Sequence, residues 1–298
     1  MKLSIRTLLR CTALIILILS SLNIFASPQM PDYIIYKNDT IATYNLLVEQ
    51  YLQKHQQGNR EQLFGLNFRD GGSFNCWRGY QAIYKIENDS LFLADIIDCG
   101  SLRRRTLDKN ASFKKMQVIF SDRLINGKVF IDWFSGDLSF PLTNKILRWD
   151  GVFKTIYEKE SVLHISSGRV LDVENVNNYV DDSKAIDRRF KVKISDILFE
   201  KLKKIRWKTS DDCDCSEKYI ITIDEYGRIS KVNMLKYKTE EEIDQEARKE
   251  YDYCTNAVLN ALKSLKFDII KDKGKPISED VYLEIWVEDN GKVKNWTR

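Results

Sequence analysis

Three acidic residues that lie in or beside aromatic, strand-like segments are the best candidates for catalysis in this chain: Asp132, Asp150 and Glu158. A hydrolase that works through carboxylates needs two acidic groups facing one cleft. The same three residues have a structural role if each pairs with an arginine, such as Arg78 or Arg148, or lies at a strand edge. We favour the structural interpretation and keep the three as weak catalytic candidates.

Other catalytic chemistries have less support in the sequence. Nucleophilic catalysis by serine or cysteine needs a nearby base, and His164 is the only histidine in a predicted strand. The chain has no Gly-x-Ser-x-Gly segment, and no glycine-rich phosphate loop follows a predicted strand. Enzymatic activity is therefore disfavoured, and the sequence predicts no cofactor.

Four aromatic residues of the same region form a possible binding surface, because exposed rings can stack against a sugar or a peptide: Trp77, Tyr80, Trp133 and Trp149. Aromatic residues at strand spacing more often belong to a core. The core interpretation is favoured, and the ligand platform remains the alternative.

The first two cysteines after the N-terminal segment predict a disulfide. Segments 80–87 and 91–97 flank a turn at 88–90 and predict a β-hairpin. Pairing across this turn places Cys76 nearly opposite Cys99, within bridging range.

The other three cysteines leave their pairing open. Cys213, Cys215 and Cys254 remain. Cleavage of the N-terminal segment would remove Cys11 and leave five of the six cysteines, so at least one thiol would be unpaired or intermolecular. The Cys-Asp-Cys segment at 213–215 has no histidine nearby, whereas a zinc site usually needs four nitrogen or sulfur ligands at recognisable spacing. No metal site is predicted.

The N-terminal segment has the layout of a secretory signal peptide. Lys2, Arg6 and Arg10 precede an unbroken apolar run at 13–19, and Ala26 offers a cleavage point. The run is too short for a typical spanning helix of about 20 residues, although an uncleaved anchor is the alternative. Cleavage would leave no stable membrane span and would place the mature protein in the periplasm or outside the cell.

The charge balance gives no case for nucleic-acid binding. The leader has three basic residues and no acidic one, so the formal net charge falls from +4 to +1 on cleavage. One basic run remains at Arg103-Arg104-Arg105. It indicates an exposed loop, and an anion-binding patch is the alternative.

Hydrophobic periodicity predicts an α+β protein. Residues 1–26 are the signal peptide, and 27–180 form a mainly antiparallel β domain with one helix at 45–57. The predicted strands of this domain lie at 33–37, 40–44, 80–87, 91–97, 116–120, 128–134, 155–159, 162–166 and 169–173.

The last third predicts a small β-β-α-β module. Residues 181–210 are a linker with a short helix from Ser195 to Lys204, and 211–298 form the module. Its strands are expected at 218–224, 228–235 and 281–287. A long helix is expected at 239–265, begun by a capping box of Thr239 and Glu242.

This last third resembles the C-terminal domain of TonB-type energy-transducing proteins. The resemblance is carried by Ile220–Ile229 around an acidic-Gly turn, by the helix segment Ala257–Leu265, by Lys273-Gly274-Lys275-Pro276-Ile277, and by the strand that starts at Val281. It implies a bacterial cell-envelope protein. In that family the module takes a partner's peptide along its sheet edge by strand addition.

Together these features predict an exported, non-catalytic envelope protein that binds a protein or peptide through its α+β module. The alternative is an envelope-polymer hydrolase or a glycan-binding module that uses the aromatic and acidic face of the β domain.

Overall fold

The computed structural model describes residues 29–55, 73–205, 207, 215–237 and 240–297. The signal-peptide prediction at 1–26 lies outside these residues. The chain forms two compact units. Unit 1 contains residues up to 134 together with 149–154 and 167–169, and unit 2 contains 135–148, 155–166 and 170–298. The predicted division at 27–180, 181–210 and 211–298 stays a prediction.

Unit 1 is built on a sheet whose strands run in the order β2-β1-β3-β4-β6-β5. All neighbours are antiparallel except β1 and β3, which are parallel. Its elements are β1 (Asp32–Tyr36), β2 (Asp39–Thr43), α1 (Leu47–His55), β3 (Tyr80–Glu87), β4 (Ser90–Asp98), α2 (Ser101–Arg104), α3 (Lys109–Phe120), β5 (Leu124–Ile125) and β6 (Lys128–Phe130).

Tight turns define the hairpins of this sheet. Asn88 and Asp89 both have positive φ, 47° and 53°, as a two-residue hairpin turn requires. The predicted hairpin of β3 and β4 and the predicted helix at 45–57 are both confirmed, the latter as α1.

Two predictions for this region are wrong. The segment Met116–Phe120 belongs to α3 and not to a strand, so unit 1 has more than one helix. Asp108 caps α3 by accepting a hydrogen bond from Ala111 N (3.0 Å), and the buried side chains recur every four residues. The strand predicted at 128–134 ends at Phe130.

Each of the remaining elements lies wholly or mostly in unit 2. These are β7 (Gly136–Pro141), β8 (Ile146–Trp149), β9 (Thr155–Tyr157), β10 (Lys159–Ser166), β11 (Arg169–Asn177), β12 (Tyr179–Val180), α4 (Lys191–Leu202), β13 (Glu217–Ile223), β14 (Ile229–Met234), α5 (Gln245–Leu262), β15 (Ile269–Asp272), β16 (Lys275–Pro276), β17 (Glu279–Val287) and β18 (Val293–Asn295).

The largest core of unit 2 lies beneath an antiparallel sheet of order β14-β13-β17-β18. Alternate residues of its strands, such as Ile221 and Leu283, pack against the buried faces of α4 and α5. Two helices thus cover one face of this sheet. With helices and mixed sheets, the predicted α+β class is confirmed.

The helix starts in unit 2 differ from the prediction. Helix α4 begins at Lys191, so Ser195 lies inside it. Helix α5 begins at Gln245 and is capped by Asp244, whose side chain accepts from Ala247 N at 2.7 Å. Thr239, the predicted cap, lies outside the described residues. In the described part of the chain, no helix has the length and apolar character needed to cross a membrane.

Candidate binding face on the four-stranded sheet

Two of the three acidic candidates form ion pairs. Asp132 accepts a hydrogen bond from Arg123 and is half-exposed. The Glu158 carboxylate lies 3.2 Å from Lys145 Nζ. Asp132 belongs to unit 1 and Glu158 belongs to unit 2, so neither unit contains both of these carboxylates.

Asp150, the third candidate, closes a turn. Its carboxylate accepts from the backbone N–H groups of Val152 and Phe153, both at 2.8 Å. Burial raises the pKa of Asp150, but these backbone hydrogen bonds outweigh that effect and lower it. An ionised carboxylate held by backbone donors suits a turn better than proton transfer.

The four aromatic candidates divide into two pairs. Tyr80 is fully buried and donates a hydrogen bond to Glu49. Trp133 packs against Tyr51 and donates from Nε1 to Leu47 O at 2.9 Å. Tyr80 thus belongs to the interior of unit 1, whereas Trp133 is partly buried, and the binding role of Trp133 stays a prediction. Trp77 and Trp149, in contrast, are exposed.

The cysteines form two disulfides. Cys76 and Cys99 are bonded, with Cα atoms 6.3 Å apart, as the hairpin register predicts. Cys215 and Cys254 are also bonded and link the start of β13 to α5. Cys213 lies outside the described residues.

A stacked pair of tryptophans lies on the four-stranded sheet of unit 2. Trp286 on β17 and Trp296, just after β18, have ring centroids 5.3 Å apart and an angle of 18° between their planes. They are 45% and 52% exposed. The backbone places them together, because Trp296 N donates to Glu284 O at 2.9 Å.

Polar and aromatic side chains lie beside the two tryptophans on the same face of the sheet. Thr222 Oγ1 donates to Asp280 Oδ1 (2.7 Å), and Tyr282 OH donates to Glu284 (2.5 Å). Burial, with the hydrogen bond to Glu284, raises the pKa of Tyr282 to about 12. The phenol therefore stays protonated and fixes the carboxylate beside the tryptophans. We call Tyr282, Glu284, Trp286 and Trp296 the aromatic face.

The outer edge of β14 is one long edge of this sheet. Within the described residues, β14 pairs with β13 and with no strand on its other side. Leu235 N donates to Lys218 O (2.7 Å), so Lys218 and Leu235 form a hydrogen-bonded pair of the antiparallel ladder. Because such pairs alternate with non-hydrogen-bonded pairs, Val232 faces Ile221 in a non-hydrogen-bonded pair. The backbone N–H and C=O groups of Val232 therefore point away from β13, toward the outer edge.

The sequence indicated one of the two tryptophans of this site, Trp286. Alternation along 281–287 separates the buried Val281, Leu283, Ile285 and Val287 from Tyr282, Glu284 and Trp286. It thus predicts that Trp286 faces away from the core. Trp296 was missed, because a residue beyond a three-residue strand shows no periodicity of its own.

Among the described residues, no three His, Cys, Asp or Glu side chains come together as metal ligands. Comparison of the chain with models of protein families, with curated proteins and with solved structures finds no match.

Proposed function

We propose that this protein is an exported, non-catalytic protein of the bacterial cell envelope, periplasmic or secreted, and that its α+β module binds an extended segment of a partner protein. The aromatic face carries the proposal. Tryptophan and tyrosine are enriched among the residues that dominate protein–protein binding energy. Two adjacent, exposed tryptophans on a sheet face without covering helices are the kind of surface that a partner buries.

The outer edge of β14, on the opposite side of the sheet from β18, supplies a second place to hold an extended chain. A peptide that adds to a sheet edge gains main-chain hydrogen bonds, and its alternate side chains reach one sheet face. The outward backbone groups of Val232 offer the first of these bonds. The resemblance of 211–298 to TonB C-terminal domains supports the same mode of binding.

The cysteine chemistry supports export. Disulfides persist in oxidising compartments and are rare in the cytosol. Both units contain one, and Cys215–Cys254 connects the sheet to the helix that covers it. The basic and apolar leader predicted at 1–26 agrees with this compartment.

A glycan-binding role is the competing proposal, supported by the exposed rings. Sugars stack on flat ring faces, but Trp286 and Trp296 each cover one face of the other. A hydrolase has less support, because each acidic candidate is held by a basic side chain or by backbone donors.

Site-specific photo-crosslinking in living cells tests the proposal. A photoreactive phenylalanine replaces Trp286, and the matched control replaces Tyr226, which is exposed in the turn before β14. We expect a discrete protein adduct from position 286 that is absent at 226 and is lost on Trp296→Ala. Absence of any protein adduct at 286, or the same adduct at both positions, would contradict the proposal.

A further inference from the structure

A second surface, in unit 1, is basic and apolar at once. From Arg103 to Val118 the chain has six basic residues and one acidic residue, Asp108. The Asp108 side chain is used in capping α3. The exposed apolar side chains of the same stretch are Leu107, Phe113 and Val118, the last of them 75% exposed.

Most of the basic residues have no acidic partner to neutralise them. Lys109 pairs with Asp95, and Lys115 pairs with Asp98. Among the described residues no acidic side chain forms an ion pair with the other four, which are Arg103, Arg104, Arg105 and Lys114. These four exposed cations leave a local surplus of positive charge that an anionic surface would complement.

The disulfide brings further apolar surface to this place. Cys76–Cys99 links the turn that contains Phe74 and Trp77 to the chain just before α2. Phe74 is 80% exposed. On the other side of the bond, Arg104 donates to Cys99 O at 2.8 Å. The Cys76–Cys99 disulfide therefore has aromatic side chains near Cys76 and a basic side chain near Cys99.

The first described residues of the chain, Gln29 and Met30, join the fold at the same place. Met30 N donates to Asn75 O at 2.7 Å, and the Gln29 side chain bonds the backbone of Phe74 and Trp77. Residues 29 and 30 are thus held against the turn that contains Phe74 and Trp77.

From these observations we propose that unit 1 docks on an anionic phospholipid bilayer through a basic–apolar surface made of Phe74, Trp77, Arg103, Arg104, Arg105 and Leu107. Arginine guanidinium groups bind lipid phosphates, and neighbouring apolar side chains enter the boundary between head groups and acyl chains. Phe74, Trp77 and the arginines could also stack on nucleic-acid bases, so duplex DNA is included in the test as the competing ligand.

Vesicle co-sedimentation tests this docking. The processed chain, with both disulfides formed, is mixed with vesicles of equimolar phosphatidylglycerol and phosphatidylcholine, or of phosphatidylcholine alone. We expect binding to the anionic vesicles only, weakened by added salt. Arg103→Gln, Arg104→Gln and Arg105→Gln together lower the partition coefficient about a hundredfold, because each basic residue near an anionic leaflet contributes a factor of about five.

Matched variants separate this surface from net charge and from folding. Lys184→Gln, Lys204→Gln and Lys231→Gln remove the same charge from unit 2 and leave binding within about twofold of the wild type, since those residues lie outside the surface. Phe74→Ser with Leu107→Ser weakens binding while the far-UV circular dichroism stays unchanged. Equal binding to both kinds of vesicle, an unaffected triple-arginine variant, or tighter binding to duplex DNA than to anionic vesicles would overturn the proposal.

Discussion

Two buried arginines, one in each unit, are satisfied to different degrees. Arg78 in unit 1 is 2% exposed and Arg188 in unit 2 is 0% exposed. The Arg78 guanidinium donates from Nη1 to Asp32 Oδ1 at 2.7 Å and from Nη2 to Met30 O at 2.9 Å. One cation faces one anion, and both of its terminal nitrogens have acceptors.

The anion in unit 1 is equally well satisfied. Asp32 accepts from Ala82 N at 2.8 Å and from Tyr84 OH at 3.0 Å in addition to Arg78. A buried ion pair stabilises a fold only when its remaining donors and acceptors are also satisfied. The pair joins the first residue of β1 to the segment before β3, and β1 and β3 are the two parallel strands of unit 1.

Unit 2 divides one anion among several cations. Arg148 takes both oxygens of Glu279, at 2.6 and 2.7 Å, and Arg188 reaches the same carboxylate only through Nε, at 3.2 Å. Lys191 lies 3.4 Å from it. Both Nη atoms of Arg188 are buried and have no hydrogen-bond partner among the described residues. Burial of the guanidinium group lowers the pKa of Arg188.

This difference shows that burial alone does not determine how much an arginine contributes to the stability of the fold. Removing a cation whose anion depends on it leaves a buried, uncompensated charge, which is costly. Removing a cation whose anion already has a better partner leaves no such charge. The same substitution at the two positions should therefore have very different effects.

The largest effect is expected for Arg78→Met. Methionine keeps much of the apolar length but leaves Asp32 buried without a counter-charge, so the free energy of unfolding should fall by about 3–5 kcal/mol. Urea denaturation measures this change. The control is Lys114→Met, an exposed position in the same unit, for which a change within about 0.5 kcal/mol is expected. A similarly small loss at Arg78 would remove the distinction between the two arginines.

An intermediate effect is expected for Glu279→Gln. The amide keeps an acceptor for Arg148 but loses the charge, so we expect a loss of about 1.5–3 kcal/mol at neutral pH. Burial raises the pKa of Glu279, but hydrogen bonds and charge from Arg148 and Arg188 outweigh it and lower that pKa below the ordinary 4.5.

That lowered pKa gives the effect a pH dependence. A carboxyl whose pKa is lowered by folding stabilises the fold above its unfolded value, and the contribution is lost as the pH falls through the folded value. The stability difference between wild type and Glu279→Gln should thus be constant near neutral pH and shrink below about pH 4.5. Urea denaturation across this range measures it, and a difference that grows in acid would show that Glu279 is not the stabilising anion of this cluster.

The local structure was largely predictable from the sequence. Turns such as Asn88-Asp89 and the alternation along 281–287 are short-range signals, and the structure has the expected hairpin and strand at both places. The Cys76–Cys99 disulfide followed from the same hairpin register. Helix α3 was missed because Met116, Val118 and Phe120 alternate as the residues of a short strand do.

The partners of the charged residues were not predictable. Asp132, Asp150 and Glu158 were expected to pair with Arg78 or Arg148. The partners of these two arginines are instead Asp32 and Glu279, which lie 46 and 131 positions away in the chain. Such pairs are set by tertiary topology, which a periodicity does not encode. The aromatic face has the same origin, because Trp296 meets Trp286 only through the β17–β18 hairpin.

The smallest effect, and the sharpest test of the comparison, is expected for Arg188→Met. The substitution removes two buried, unpartnered nitrogens and leaves the two-point contact between Arg148 and Glu279 in place. Replacing a poorly satisfied buried ion by an apolar side chain of similar volume is often neutral or stabilising. We expect a free energy of unfolding within about 1 kcal/mol of the wild type, or higher, by the urea measurement used for Arg78→Met. A loss as large as that at Arg78 would mean that the Arg188 nitrogens have acceptors in the folded protein, and the two arginines would then be equivalent.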